Sequence, residues 1–343
     1  MGLIVLKFGG TSLATTKLMK NAAKIVAEHV NQGKRVVVVV SAMAGVTNHL
    51  VHLVNEITSC ETKASLAEYA NVITTGEQVS AGLFTLLIQE IGIKARSWLN
   101  WQMKIITDDN FADANIIEIN AVQILESFNQ GYKVAVVAGF QGVTELNRAS
   151  TLGRGGSDTT AIILAGALDA ERCDIYTDVE GVFTVDPRIV AKAQKISEIN
   201  YDEMIAFANA GAKVLQEKSV RWAQHYNLEV QVLSSFTENP GTMIRRVNKA
   251  SPVVGIALSN DINEFLELNK FKLPKNMDIV KVSVIGSGIE SNLKIITIFK
   301  NALEKANIEV LFTHTSAMTL SFLITEEYKF DAVKLLHNVW NLE

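Results

Sequence analysis

The chain has 343 residues, of which 48% are hydrophobic and 20% charged, the composition of a globular protein of two or three domains and not of a disordered or fibrous one. A formal net charge of -4, with no stripe of Lys and Arg interleaved with aromatics, excludes the electrostatic footprint of a nucleic-acid binder. Two cysteines, Cys60 and Cys173, cannot build a disulfide framework, and the apolar run Val36 to Val40 is far short of a membrane span, so neither a disulfide scaffold nor a membrane partner is expected.

Along the chain, β-branched runs at 3–8 (LIVLKF), 35–42 (RVVVVVSA), 132–140 (YKVAVVAGF), 173–178 (CDIYTD) and 228–235 (LEVQVLSS) predict buried parallel strands. The opening MGLIVLKFGG lacks the basic start and long apolar core of a secretory signal, and the cytoplasm is the expected location. After the first strand, Thr15 or Thr16 caps a helix with Leu18, Ala22, Ile25, Val26 and Val30 on one face, and Gly33 ends it. Further helices are expected over 76–90, 114–129, 158–167, 201–208 and 212–225. Strands alternating with helices over about the first 245 residues predict an α/β sandwich around a mainly parallel sheet. Ligands in such folds sit beyond the carboxyl ends of the strands. Pro240, Gly241 and Pro252 then bracket a polar connection, placing a first domain at 1–245 and a second region at 250–343. The second region reads as a smaller βαββα pattern, with strands at 279–288, near 308–314 and at 318–325.

Several turns in this frame carry candidate chemistry. KFGGTS follows the first strand; its glycines let backbone N–H groups approach a phosphate and Lys7 adds a point charge, although a tight turn with a solvated lysine has the same pattern. The lysine precedes both glycines, which is not the order of a Walker A loop. TLGRGGSDTTA offers Arg154 as a planar fork, Ser157 as a hydroxyl, and Asp158 either as a helix cap or as a site acid. VITTGEQ puts Glu77 in a first helical turn, where a helix dipole alone could account for it. SAMAGVTN contributes Thr47, a loop cap or a hydroxyl donor, and IYTDVEGVFTVDPR ends a strand with Thr177 and Asp178. Of the six histidines only His49 and His52 lie three apart, and without a Cys or third ligand nearby they read as a surface pair, so no metal-binding residue is expected.

The order KFGGTS, SAMAGVTN, TTGEQ, TLGRGGSDTTA, YTDVEGVFTVDPR and GAKVL strongly resembles the aspartokinases of the amino acid kinase family over nearly the whole chain. The resemblance implies a three-layer α/β/α amino acid kinase domain followed by an α+β, ferredoxin-like ACT unit. It implies transfer of the γ-phosphoryl group of ATP to the β-carboxylate of L-aspartate, giving L-4-aspartyl phosphate, the entry step to lysine, threonine and methionine. ATP comes with Mg2+ held mainly by its phosphates. By position, Lys7 stabilises the moving phosphoryl group, with Gly9 and Gly10 giving backbone contacts. Thr47, Glu77, Arg154 and Ser157 bind aspartate, Asp158 orients the lysine, and Thr177, Asp178, Phe183, Arg188 and Lys213 contact the nucleotide. Lys7→Ala is expected to lower kcat drastically with little effect on folding.

The chain departs from the family at Asn100 and Lys104, where glycines are common, and at Phe183, where Tyr is frequent. Between VVGIALS and IVKVSVIGSG only residues 260–278 intervene, so one of the usual two ACT units reads as deleted. In the remaining unit the effector loop reads Asn292-Leu293-Lys294, and Ala317 and Thr319 replace Glu and Lys. Dimerisation is the main role expected of it, in at least a homodimer, and these replacements leave open whether lysine, threonine or neither inhibits. The alternatives are another family member acting on glutamate, acetylglutamate or UMP, or an amino-acid sensor without catalysis.

Overall fold

Each β-branched run folds as a strand, and helices separate them. The computed structural model describes residues 2–247, 251–269, 277–340 and 342. In order come β1 (Leu3–Phe8), α1 (Thr16–Asn31), β2 (Arg35–Val40), α2 (Val46–Asn55), α3 (Lys63–Ile73), α4 (Thr75–Glu90), β3 (Ala95–Trp98), β4 (Ile105–Thr107), β5 (Ile116–Ile119), α5 (Val122–Asn129), β6 (Val134–Ala138), β7 (Gln141–Thr144), β8 (Ala149–Thr151), α6 (Gly156–Ala167) and β9 (Cys173–Thr177). They are followed by β10 (Glu198–Ile199), α7 (Tyr201–Ala210), α8 (Glu217–Tyr226), β11 (Val230–Ser234), β12 (Thr242–Ile244), β13 (Gly255–Ser259), α9 (Asn263–Asn269), β14 (Ile279–Ile285), α10 (Leu293–Lys305), β15 (Phe312–Thr315), β16 (Thr319–Thr325) and α11 (Lys329–Val339). The chain forms two compact units, Met1–Glu180 with Arg221–Met243 and Gly181–Val220 with Ile244–Glu343. The segment Gly181–Val220 thus packs with the C-terminal region although it precedes the expected connection. Of that connection, residues 248–250 lie outside the described residues.

In the first unit β11, β9, β1, β2, β6 and β3 lie side by side in that order, each pair parallel. Alternation sorts the two faces. Ile4, Leu6 and Phe8 of β1 and Val36, Val38 and Val40 of β2 pack with Met19, Ala23 and Val26 of α1 and Phe84 and Ile88 of α4. The odd-numbered residues of β1, Lys7 among them, face the other way, toward α6. Two layers of helices therefore flank a parallel sheet, as expected. A smaller mixed sheet, in the order β5, β4, β7, β8, joins the same unit.

Two helix expectations are corrected. The segment 114–129 opens as β5, because the run Ile116, Ile117, Glu118, Ile119 is β-branched and pairs with β4. The segment 212–225 is helical only from Glu217, because Gly211 closes α7 in a left-handed conformation (φ 108) and the chain turns before α8.

In the second unit β13, β14, β16 and β15 form an antiparallel sheet. Val280, Val282 and Val284 meet Phe299 and Leu303 of α10 and Val333 and Leu336 of α11. The βαββα pattern is present, and β13 adds a fourth strand from upstream, where no strand was expected.

Candidate active site

The site lies at the carboxyl ends of the first unit's strands. Lys7 is the penultimate residue of β1, 8% exposed, and its Nζ stands 2.5 Å from Oδ1 of Asp158 in the first turn of α6. Alternation along β1 is what aims the lysine at α6 rather than into the apolar core. Asp158 does not cap its helix: the N-cap is Gly155, left-handed at φ 72, with no side-chain cap. Gly156 is a packing requirement, since a Cβ there would lie 2.9 Å from the Phe140 ring.

Glu77, in the first turn of α4, is 3% exposed. Its Oε1 accepts the Ala42 N–H at 3.1 Å, and its Oε2 has no hydrogen-bond partner. Burial pushes its carboxyl pKa up to about 7, against the smaller opposing effect of the Ala42 N–H. A dipole-serving carboxylate has no need of such burial. Thr47 is half-buried in the first turn of α2, Ser157 is buried in the first turn of α6, and Arg154 is exposed with no acid partner among the described residues.

One cavity of about 320 Å3 collects Lys7, Gly10, Thr47, Glu77, Arg154, Ser157 and Asp158. Gly9 adjoins it but donates its N–H to the Tyr176 carbonyl at 3.0 Å, so the backbone donor expected at Gly9 is spent inside the sheet. Thr177 and Asp178 end β9, the hydroxyl of Thr177 donating to the Asp178 carboxylate at 3.1 Å. The other nucleotide candidates belong to the second unit. There Phe183 is half-buried and bridges to Lys195, Arg188 is exposed and pairs with Asp186, and Lys213 is exposed in the turn after α7. A wider depression of about 730 Å3 in that unit, lined by residues such as Lys300, Glu304 and Phe312, gathers none of the site residues.

Ser41, Met43, Asn48 and Phe140 also line the cavity and were not singled out in the sequence. For Phe140 a signal existed, the glycines on either side of the pair Phe140-Gln141 directly after β6. Among the described residues no group of three or more His, Cys, Asp and Glu could hold a metal ion, and no helix is long and apolar enough to cross a membrane.

A family profile for the amino acid kinases matches residues 2–234, and one for an ACT domain matches residues 276–338. The aspartokinase of Rickettsia felis is 38% identical over 401 aligned positions, covering 100% of this chain and 99% of that protein. The solved structure of E. coli aspartokinase III in complex with aspartate and ADP (R-state) has the same fold, with a TM-score of 0.82 at 24% identity over 98% of this chain and 99% of its own. The same enzyme in complex with lysine and aspartate (T-state) gives 0.79 at 25% identity over 99% of each chain. Fold and site together define an ATP-dependent kinase of the amino acid kinase type that carries an ACT domain. Within that class the chain belongs to the aspartokinase family.

Proposed function

We propose that the cavity binds L-aspartate and that the chain transfers the γ-phosphoryl group of MgATP to its β-carboxylate, yielding L-4-aspartyl phosphate and ADP for lysine, threonine and methionine synthesis. The observation that carries this is the unpartnered Oε2 of buried Glu77 in one cavity with the unpaired guanidinium of Arg154. A buried acceptor matched to an ammonium, beside a fork matched to a carboxylate, fits a free amino dicarboxylic acid. An acetylated amino acid or UMP has no cation to offer Glu77.

In this mechanism Arg154, Ser157 and Thr47 fix the acceptor's carboxylates and Glu77 takes the α-ammonium. The β-carboxylate is ionised at neutral pH and attacks directly, so no general base is required. A P–O bond forms to the carboxylate oxygen as the bond from γ-phosphorus to the bridging oxygen breaks, and ADP leaves with that electron pair. Lys7 neutralises charge on the moving group, and Asp158 holds its ammonium in place. By the family resemblance, Thr177, Asp178, Phe183, Arg188 and Lys213 are the positions assigned to the nucleotide. Phe183 keeps a ring surface but no hydroxyl.

The site's donor set fits a metal that arrives on the nucleotide: Asp158 is engaged by Lys7, and Mg2+ favours phosphate oxygens and water over an all-protein cage. Arriving with the nucleotide, Mg2+ would supply charge neutralisation on its phosphates. We assign residues 1–245 to catalysis and 250–343 to an ACT-like region that dimerises, in a cytoplasmic enzyme. The test is hydroxamate trapping with aspartate, glutamate and acetylglutamate, with ADP release measured in parallel for UMP, whose product is not an acyl phosphate. Aspartate is the preferred acceptor on this reading, and turnover of acetylglutamate or UMP in its place overturns it.

A further inference from the structure

Phe140 forms part of the cavity wall from a backbone conformation foreign to its type. Its φ is +70°, in the left-handed region that bulky residues avoid and keep only where their surroundings hold them. Two bonds hold it here. Its N–H donates to Thr160 Oγ1 at 3.1 Å, and its carbonyl accepts the Leu152 N–H at 2.9 Å. Thr160 is fully buried on α6 and its hydroxyl donates to the Gly156 carbonyl at 2.9 Å, which leaves its oxygen free to accept from Phe140. The fit on both sides is close: a Cβ on Gly156 would stand 2.9 Å from the ring, and one on Gly139 would stand 2.8 Å from Ser157 Oγ. The end of β6 and the first turn of α6 therefore form one interlocked surface, with Ser157 and Asp158 on it.

We propose that Thr160 is a positioning residue for acceptor length. By pinning Phe140 it fixes a cavity wall relative to Ser157, and so favours a four-carbon amino dicarboxylate over its five-carbon homologue. The proposal rests on the dicarboxylate-binding reading of the cavity. It does not require Thr160 to touch the substrate.

The experiment measures kcat and KM for L-aspartate and L-glutamate at saturating MgATP, on the full chain and on Thr160→Val, Thr160→Ser, Phe140→Gly and Arg154→Ala. Thr160→Val keeps the shape but removes the bond to Phe140, and it is expected to lower the aspartate-to-glutamate ratio of kcat/KM about tenfold, chiefly through the aspartate KM. Thr160→Ser restores the ratio, which a loss of packing alone would not permit. Phe140→Gly adopts φ +70° freely and also lowers the ratio, so the proposal stays testable if Thr160→Val does not fold. A folded Thr160→Val with an unchanged ratio, or Phe140→Gly with an unchanged ratio, overturns the proposal. If Arg154→Ala leaves the aspartate KM untouched, it is the reading of the cavity itself that fails.

Discussion

Glu77 is buried with one oxygen unpartnered, an arrangement that costs stability and that the proposed ammonium contact would relieve. Its folded pKa of about 7 lies above the ordinary carboxylate value, so the folded state binds the extra proton and stability falls as pH rises between about 4.5 and 7. Glu77→Gln removes that penalty. The variant is expected to melt higher than the parent at pH 8, by a free energy on the order of 3 kcal/mol at most, and no higher at pH 4. Activity is expected to run the opposite way: on the proposed reading the ammonium of aspartate needs ionised Glu77, so kcat/KM for aspartate rises through pH 7 in the parent and is low and flat in Glu77→Gln. A pH profile of kcat/KM beside thermal melts checks both halves. Lys7→Ala is expected to lower kcat about 10²–10³-fold. The structure gives a reason to expect a cost in folding too, because the substitution leaves the buried Asp158 without its lysine, at an expected stability loss on the order of 3 kcal/mol. Adding Asp158→Asn should restore the melting temperature but not turnover.

The turn after β1 and the loop after β2 are locked together at Gly10. Its carbonyl accepts the Ala44 N–H at 3.1 Å, and a Cβ on it would stand 2.8 Å from the Ala42 carbonyl oxygen. Ala42 is also the residue whose N–H holds Glu77. Gly10→Ala must therefore push a backbone segment away and disturb the Lys7 turn and the Glu77 carboxylate at once. A fall in kcat/KM of at least about tenfold is expected, with a small drop in melting temperature; unchanged kinetics would mean the two loops are not coupled. Much at this scale was legible in the sequence. The parallel strands announced themselves because burial on both faces demands unbroken β-branched runs, as at Val36–Val40, and α1 because Thr15 and Gly33 mark its ends. Less legible was anything decided by distant partners. β5 is set by pairing with β4, β13 by pairing with β14, and the choice of Asp158 between cap and ion pair by a lysine about 150 residues away in sequence. The left-handed Phe140 is likewise a product of Thr160 and Leu152, which no local propensity announces.

Across the whole molecule, the alignment with the Rickettsia felis aspartokinase runs over 401 positions although this chain has 343 residues, and the ACT profile matches one stretch, 276–338. Both accord with the proposed loss of an ACT unit; residues 270–276 of the segment concerned lie outside those described. Within the remaining unit, β13 pairs with one side of β14, and β15 is the outer strand on the far side of β16. An outer strand presents backbone groups that a second copy can pair, and the full chain is expected to sediment as a dimer. The polar groups around the Asn292-Leu293-Lys294 loop are spent locally. Asn292 caps α10, its side-chain oxygen accepting the Ile295 N–H at 3.2 Å, and the Ser287 hydroxyl meets the Glu203 carboxylate at 3.4 Å. Glu203 in turn caps α7 by accepting the Asn200 N–H at 3.2 Å. A free amino acid would have to break these bonds before it found donors and acceptors of its own, so calorimetric titration with lysine or threonine should show no heat of binding at millimolar ligand. Turnover should stay constant under the same additions, and a saturable heat from either amino acid, with inhibition to match, would show that the single unit still regulates.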